Sequence, residues 1–190
     1  MTDLAIRAPQ SDFKPKYWSA RDLVVLGVFA AAAKLSSVLI ALAGGGMNPV
    51  SLIAKNIVFT TLIVVMLYKV RKPGTLFLFT AVNMLISLLL LGGNVTLIPA
   101  AFAAALIGEF IMWAFGGIQK PWGVFLGIAS FDLVSKCLSL GVSLLFMRET
   151  PELVWTVVPF IVIGYLGSLI GLYTGARAVK ELRHAGIVQH

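Results

Sequence analysis

Five charged residues stand inside long apolar stretches of this sequence, and they are its strongest candidates for chemistry. A charge in a hydrocarbon layer is costly, so such residues usually face a solvated cavity, pair with each other or mark a ligand pathway. They are Lys34, Lys55, Glu109, Asp132 and Lys136. The excess of lysine favours an anionic or carboxylate-bearing ligand. Further hydrogen bonds to such a ligand could come from the amides of Asn48, Asn56 and Asn94.

A structural role is also open for most of these residues. Asp132 and Lys136 are four positions apart, so on one helix they can neutralise each other. Lys55 is close enough to the end of its segment to extend its ammonium to the membrane surface. Glu109 can pair with a neighbouring helix or face a partner. Lys34 is the hardest to explain without a ligand.

Catalytic chemistry is not expected. Both histidines, His184 and His190, stand in the polar C-terminal tail, so no apolar segment offers a histidine for Ser–His catalysis or metal ligation. The sequence contains no Gly-Lys-Ser/Thr phosphate loop, and its single cysteine, Cys137, cannot form an intrachain disulfide. We predict a protein that is not an enzyme and that holds neither a metal nor a cofactor.

The composition is that of an integral membrane protein. Apolar residues make up 59% of the 190 residues and charged residues 12%, whereas ordinary soluble domains carry about 25% charged residues. The net charge of +7 comes mainly from basic residues that flank apolar segments, which is a topology signal and not a nucleic-acid-binding pattern. We predict a single all-α transmembrane domain over residues 1–190 that lies in the lipid bilayer and binds no nucleic acid.

Six apolar segments joined by short loops predict six transmembrane helices. Most are close to the length of ~20 residues that crosses a hydrocarbon core of about 30 Å. Glycine and proline mark the turns, as in Gly44-Gly45-Gly46 and Pro73-Gly74. After a lead-in over residues 1–21, the predicted spans cover 22–43, 49–70, 75–91, 95–115, 122–147 and 153–178, and a tail covers 179–190.

The distribution of basic residues predicts the orientation of these helices. The lead-in, the loops after the second and fourth segments and the tail carry most of the flanking Lys and Arg, whereas the other three loops carry only Arg148. By the positive-inside rule both termini are cytoplasmic in a multi-pass protein of the cytoplasmic (inner) membrane. At the helical rise, Lys34 and Lys136 then lie ~18 and ~21 Å from the cytoplasmic side, and Lys55 lies ~9 Å from the outer side. The three lysines therefore fall in the outer half and Glu109 in the inner half.

Small residues recur at helical spacing on two segments. Gly167, Gly171 and Gly175 are four residues apart on the sixth segment, and Gly27 and Ala31 form a shorter version on the first. Such stripes let helix backbones approach closely. Packing within the chain and docking to another membrane subunit are both open explanations.

Several short motifs follow one another in an order that resembles one family along essentially the whole chain. The motifs are Ser19-Ala20-Arg21-Asp22-Leu23-Val24, Gly27-Val28-Phe29-Ala30-Ala31, Asn48-Pro49, Lys69-Val70-Arg71-Lys72-Pro73-Gly74, Phe146-Met147-Arg148, the glycines at 167, 171 and 175, and Arg183-His184-Ala185-Gly186-Ile187-Val188. With these motifs the sequence resembles the MptS-type (Trep_Strep) integral membrane family, among the substrate-binding S components of energy-coupling-factor (ECF) transporters.

The resemblance implies a role in micronutrient uptake. S components capture a vitamin or a similar compound near the outer face and associate with a membrane coupling subunit and two ATPase subunits. In that family, small residues on the first helix form the docking surface, at positions that match Gly27, Ala30 and Ala31 here. We therefore expect the S component of an ECF-type ABC importer with a small, anionic, vitamin-like ligand. The expected substrate-binding residues are Lys34, Asn48, Lys55, Asn94, Asp132 and Lys136.

Two other functions are compatible with the same residues. A stand-alone small transporter or channel would have to oligomerise, since six short spans barely enclose a pathway, and the glycine stripe could serve that purpose. A non-transporting membrane scaffold would leave Lys34 and Lys136 explained only as internal ion pairs.

Overall fold

Helices and turns make up the part of the chain that the computed structural model describes, residues 17–44, 48–91, 95–146 and 152–185. No strand occurs in these ranges. The all-helical class predicted from the sequence is therefore confirmed over these ranges. The helices are α1 (Ala20–Ala43), α2 (Pro49–Val70), α3 (Thr75–Leu91), α4 (Ile98–Ala114), α5 (Pro121–Phe146) and α6 (Glu152–His184), with a 3₁₀ turn at Val95–Leu97 before α4.

Five of these helices are long and apolar enough to cross a membrane, counted over the described ranges. For α4 this count includes the 3₁₀ turn before it, which together give a span of 20 residues, Val95–Ala114. The exception is α3, whose 17 residues cover about 25 Å at the helical rise, less than a typical hydrocarbon core. Six spans with both termini in the cytoplasm thus stay a prediction. The helix α6 continues beyond Ala178, so part of the predicted tail is helical, and α1 takes up Ala20 and Arg21 from the predicted lead-in.

Local sequence explains where the first two helices begin. Ser19 caps α1: its hydroxyl accepts the Asp22 N–H, and the Asp22 carboxylate accepts the Ser19 N–H in return. Asn48 caps α2 in the same reciprocal way with Ser51, and Pro49 fills the first helical position. Such capping boxes satisfy N–H groups that a helix start leaves without partners.

The starts of α1 and α3 and the end of α2 meet at one end of the bundle, which we call the basic end. Lys72, in the turn after α2, forms a 2.6 Å ion pair with Asp22 and donates to the Tyr17 carbonyl at 2.8 Å. The Tyr17 hydroxyl donates to the Pro73 carbonyl at 3.2 Å. These contacts fasten the chain before α1 to the turn between α2 and α3.

The helices pair unevenly, and α2 is the central one. It packs along α6 and also contacts α1, α3 and α5, while α4 packs along α5. The fully buried apolar side chains concentrate toward the basic end, among them Leu26, Ile63, Leu67, Phe79 and Ile128.

The half of the bundle away from the basic end is packed more loosely. In the described ranges, α1 contributes no buried residue beyond Ala33 and α5 none beyond Asp132, while α6 contributes none before Gly164. On α1, α5 and α6 the buried residues therefore lie on the basic side, whereas α4 also buries Ala100, Ala101 and Ala104 in the other half. Lys34, Lys55 and Lys136 lie toward that other half.

Candidate functional site

Three helices bring four polar side chains together in the middle of the bundle, and we call this group the mid-bundle cluster. Lys136 forms an ion pair with Asp132, one turn earlier on α5. Its ammonium also donates to Asn56 Oδ1 of α2 at 3.1 Å and to Ser168 Oγ of α6 at 3.2 Å. Counted along their own helices, these residues lie ~16–24 Å from the basic end.

The mid-bundle cluster satisfies its own hydrogen bonds and has no net charge. An ammonium has three N–H donors, and Asp132, Asn56 and Ser168 supply three acceptors for Lys136. The Asn56 side-chain amide N–H donates to the Leu52 carbonyl at 2.8 Å. The pairing that the four-residue spacing predicts is therefore present. A ligand that binds here would replace hydrogen bonds that the cluster already makes. An anionic ligand would gain little electrostatic attraction, because the cluster has no net charge.

The glycines of α6 leave the space that the side chains of the mid-bundle cluster occupy. A Cβ at Gly164 would lie 3.3 Å from both Asn56 Nδ2 and Lys136 Cε. A Cβ at Gly167 would lie 2.9 Å from the Ile53 carbonyl oxygen, closer than carbon and oxygen pack. Because these positions lack side chains, α2 lies close to α6, and the space beside Gly164 is filled by the side chains of Asn56 and Lys136.

Lys34 differs from Lys136, because no described residue compensates its charge. It is half-buried on α1, one turn beyond Ala30 and two turns beyond Leu26, both of which are fully buried. Lys34 therefore shares the inward stripe of α1, and at ~21 Å from the basic end it stands level with Asn56 and Lys136. Among the residues that the structure describes, it has no hydrogen-bond or ion-pair partner.

The other predicted binding residues have different positions. Lys55 is partly buried, adjoins Asn56 in α2 and forms no ion pair with a described residue. Asn48 is the N-cap of α2: its Oδ1 accepts the Ser51 N–H at 2.7 Å, and its side-chain amide N–H donates to the Gly44 carbonyl. Both ends of that amide are thus occupied in capping. Asn94 lies outside the described residues.

Glu109 stabilises the start of a neighbouring helix. Its carboxylate accepts the Phe77 N–H, in the first turn of α3, at 3.0 Å. The first N–H groups of a helix lack partners within it, and the positive end of the helix dipole favours a carboxylate there. Glu109 of α4 therefore serves as a cap for α3, which fits the predicted pairing with a neighbouring helix.

The two stripes of small residues have different surroundings. Gly167, Gly171 and Gly175 face α2, where an added Cβ would lie within 3.0 Å of α2 atoms at each position. On α1, by contrast, a Cβ at Gly27 would meet no atom within 4 Å. The α6 stripe therefore packs inside the chain, whereas Gly27 lies on an open face.

The other two small residues of α1, Ala30 and Ala31, also differ in their exposure. Ala30 is fully buried in the core, so it packs within the chain, which is the packing alternative for the small residues of α1. Ala31 is partly exposed, one turn beyond Gly27. The open face of α1 also carries Val24 and Val28, both more than half exposed.

Sequence reasoning missed two polar residues. Ser168 follows Gly167 on the face of α6 that touches α2, so its helical position next to the glycine stripe could have marked it. Asn83 of α3 is 8% exposed, and its Oδ1 has no hydrogen-bond partner among the described residues. A buried polar atom without a partner is unusual. Asn83 is therefore a further candidate for a polar ligand contact.

The sequence matches a known family over most of its length. The model of the Trep_Strep family, hypothetical bacterial integral membrane proteins, matches residues 20–153. The chain belongs to this family. No curated protein and no solved structure matches it. The matched range includes α1 to α5 and with them Lys34, Asn56, Asp132 and Lys136, but it ends before Ser168.

Proposed function

We propose that this chain is the substrate-binding S component of an ECF-type importer and that its ligand is a small, anionic, vitamin-like compound. The observation that carries the proposal is Lys34, an inward-facing cation without a described partner, level with the polar mid-bundle cluster. Burying a cation without compensation is costly. A carboxylate ligand that ion-pairs with Lys34 would offset that cost.

The loose half of the bundle supports this proposal. A binding protein needs a cavity that opens to one side, and the scarcity of buried residues in α1, α5 and α6 lies on the side away from the basic end. In that half Lys34 would supply charge, and Asp132 with Ser168 would orient the polar groups of the ligand. The predicted topology places this half toward the cell exterior, where an importer captures its substrate.

The proposal includes partner subunits, because the sequence has no phosphate loop of its own to hydrolyse ATP. We assign the open face of α1, with Gly27 and Ala31, to docking on a membrane coupling subunit that associates with two ATPase subunits. Small side chains on a lipid-facing surface let another helix approach closely. The buried glycines of α6 are excluded from this role by their contacts with α2.

Native mass spectrometry of the gently solubilised protein tests ligand capture. We expect a monomer that carries one small molecule, whose added mass begins to identify it. Lys34→Met should lower ligand occupancy at least about tenfold, since a charge-assisted bond contributes roughly 1.5–3 kcal/mol. Lys69→Met is the matched control, because Lys69 is exposed near the end of α2.

Two outcomes would contradict this function. A stable, ligand-free homo-oligomer would favour the channel or scaffold explanation. Equal ligand occupancy in wild type, Lys34→Met and Lys69→Met would remove Lys34 from the binding site. Far-ultraviolet circular dichroism of each variant checks that the helical fold is retained.

A further inference from the structure

A cavity lies at the basic end, away from the mid-bundle cluster. Its volume is about 610 Å³, enough for the headgroup of a phospholipid. One side of it is apolar and belongs to the start of α5 and the end of α6, with Phe125, Ala176 and Val179. The other side is basic, with Lys180, Arg183 and His184, and none of the described residues that line the cavity is acidic.

Arg183 is held in this cavity in an unusual environment. Its Nε is buried and has no hydrogen-bond partner among the described residues. Its guanidinium lies 5.6 Å from the centre of the Tyr68 ring, and the guanidinium of Arg71 lies 5.8 Å from the centre of the same ring. Two like charges therefore converge on one aromatic side chain, and neither forms an ion pair with a described carboxylate.

The backbone conformation of Arg71 is also unusual. Arg71 ends α2 in the left-handed conformation, with φ 38° and ψ 39°, where glycine or asparagine is preferred. Its Nε is also buried without a described partner. A residue that breaks a local backbone preference usually does so for its side chain, and here that side chain brings positive charge toward Arg183.

Membrane topology alone does not require this arrangement. The positive-inside rule needs only cations near a helix end, and exposed ones serve it equally well. Arg177, on the same helix, is such a residue: it is exposed, and its guanidinium lies 4.8 Å from the centre of the Tyr173 ring, which is also exposed. Arg183, in contrast, is only partly exposed and lines a basic cavity that is partly open to its surroundings.

We propose that the cavity at the basic end binds a phosphate group, carried by an anionic phospholipid. The Arg183 guanidinium and the Lys180 ammonium donate to the phosphate oxygens, and Arg71 adds long-range attraction. The start of α5, at Pro121, contributes the positive end of a helix dipole. Phe125, Ala176 and Val179 contact the acyl chain. This apolar side favours a lipid over a free phosphate compound.

Thermal unfolding of the detergent-solubilised protein, followed by circular dichroism, tests this site. Phosphatidylglycerol, phosphatidylcholine and inorganic phosphate are titrated separately, and the apparent affinity is taken from the rise in Tm. Phosphatidylglycerol should raise Tm more than phosphatidylcholine. Arg183→Gln should weaken the apparent affinity for phosphatidylglycerol roughly fivefold. Arg177→Gln, which removes the same charge from the same helix, should change it less than about twofold.

Each result decides the proposal. A phosphatidylglycerol effect that is equal in wild type, Arg183→Gln and Arg177→Gln would overturn it. An equal rise in Tm with phosphatidylcholine would also overturn it, and this comparison needs only the wild-type chain if Arg183→Gln does not fold. If inorganic phosphate alone gives the full effect, and Arg183→Gln removes it, the phosphate site stands and its ligand is a soluble phosphate compound. Arg183→Lys keeps the charge and should retain most of the lipid effect.

Discussion

At the scale of single residues, the sequence reveals contacts within one helix and conceals contacts between helices. The Asp132–Lys136 pair follows from four-residue spacing, and the pattern Asn48-Pro49-x-Ser51 is that of a helix cap. The partners that Asn56 and Ser168 offer Lys136 depend on how α2, α5 and α6 pack. No spacing in a single sequence contains that information.

The ion pair of the mid-bundle cluster leads to a prediction about stability. The side chains of Asp132 and Lys136 are only 12% and 18% exposed, so removal of one partner leaves a poorly solvated charge. Asp132→Leu and Lys136→Met should each lower the unfolding free energy by about 3 kcal/mol. The double variant should lose less than either single variant, because it leaves neither charge uncompensated. Thermal unfolding in detergent measures this, and strictly additive losses would contradict an energetically coupled pair.

At the scale of helices, turn residues predict where elements lie but not which elements touch. Glycine and proline marked most helix boundaries, since they interrupt an apolar pattern in a recognisable way. The extension of α6 beyond Ala178 was missed because its last turns are polar, although lysine, glutamate and arginine all favour helix. The glycine stripe of α6 was visible, but only the structure identifies α2 as the helix that it contacts.

Close packing of α2 on α6 predicts a specific cost for a single methyl group. A Cβ at Gly171 would lie 2.8 Å from both the Ile57 carbonyl oxygen and Thr60 Cβ. Gly171→Ala should therefore lower the unfolding free energy by about 1–3 kcal/mol through overpacking. Gly141→Ala on α5 is the control, because an added Cβ there meets no atom within 4 Å. Equal Tm values for the two variants would mean that α2 and α6 are not closely packed.

At the scale of the whole molecule, composition establishes the membrane class and charge indicates an orientation. Neither predicts that the buried residues of α1, α5 and α6 lie toward the basic end, because that asymmetry depends on how the helices pack. The chain has two chemically different regions: the middle of the bundle, where Lys34 has no partner among the described residues, and the basic end with Arg183. The family match covers Lys34, Asn56, Asp132 and Lys136 but neither Ser168 nor Arg183.

The open face of α1 provides the test of assembly, because there docking can be separated from folding. A Cβ at Gly27 meets no atom within 4 Å, so Gly27→Leu should leave the Tm of the isolated chain within about 1 °C of wild type. If the chain is the S component that we propose, the same change should abolish co-purification of ATPase subunits from native membranes, because a leucine holds the facing helix away. Gly141→Leu, at an equally open position on α5, should leave co-purification intact. If Gly27→Leu retains the ATPase subunits, which are recognised by their phosphate-loop peptides, α1 is not the docking helix. If neither wild type nor Gly27→Leu retains ATPase subunits, the result favours a stand-alone transporter or a scaffold.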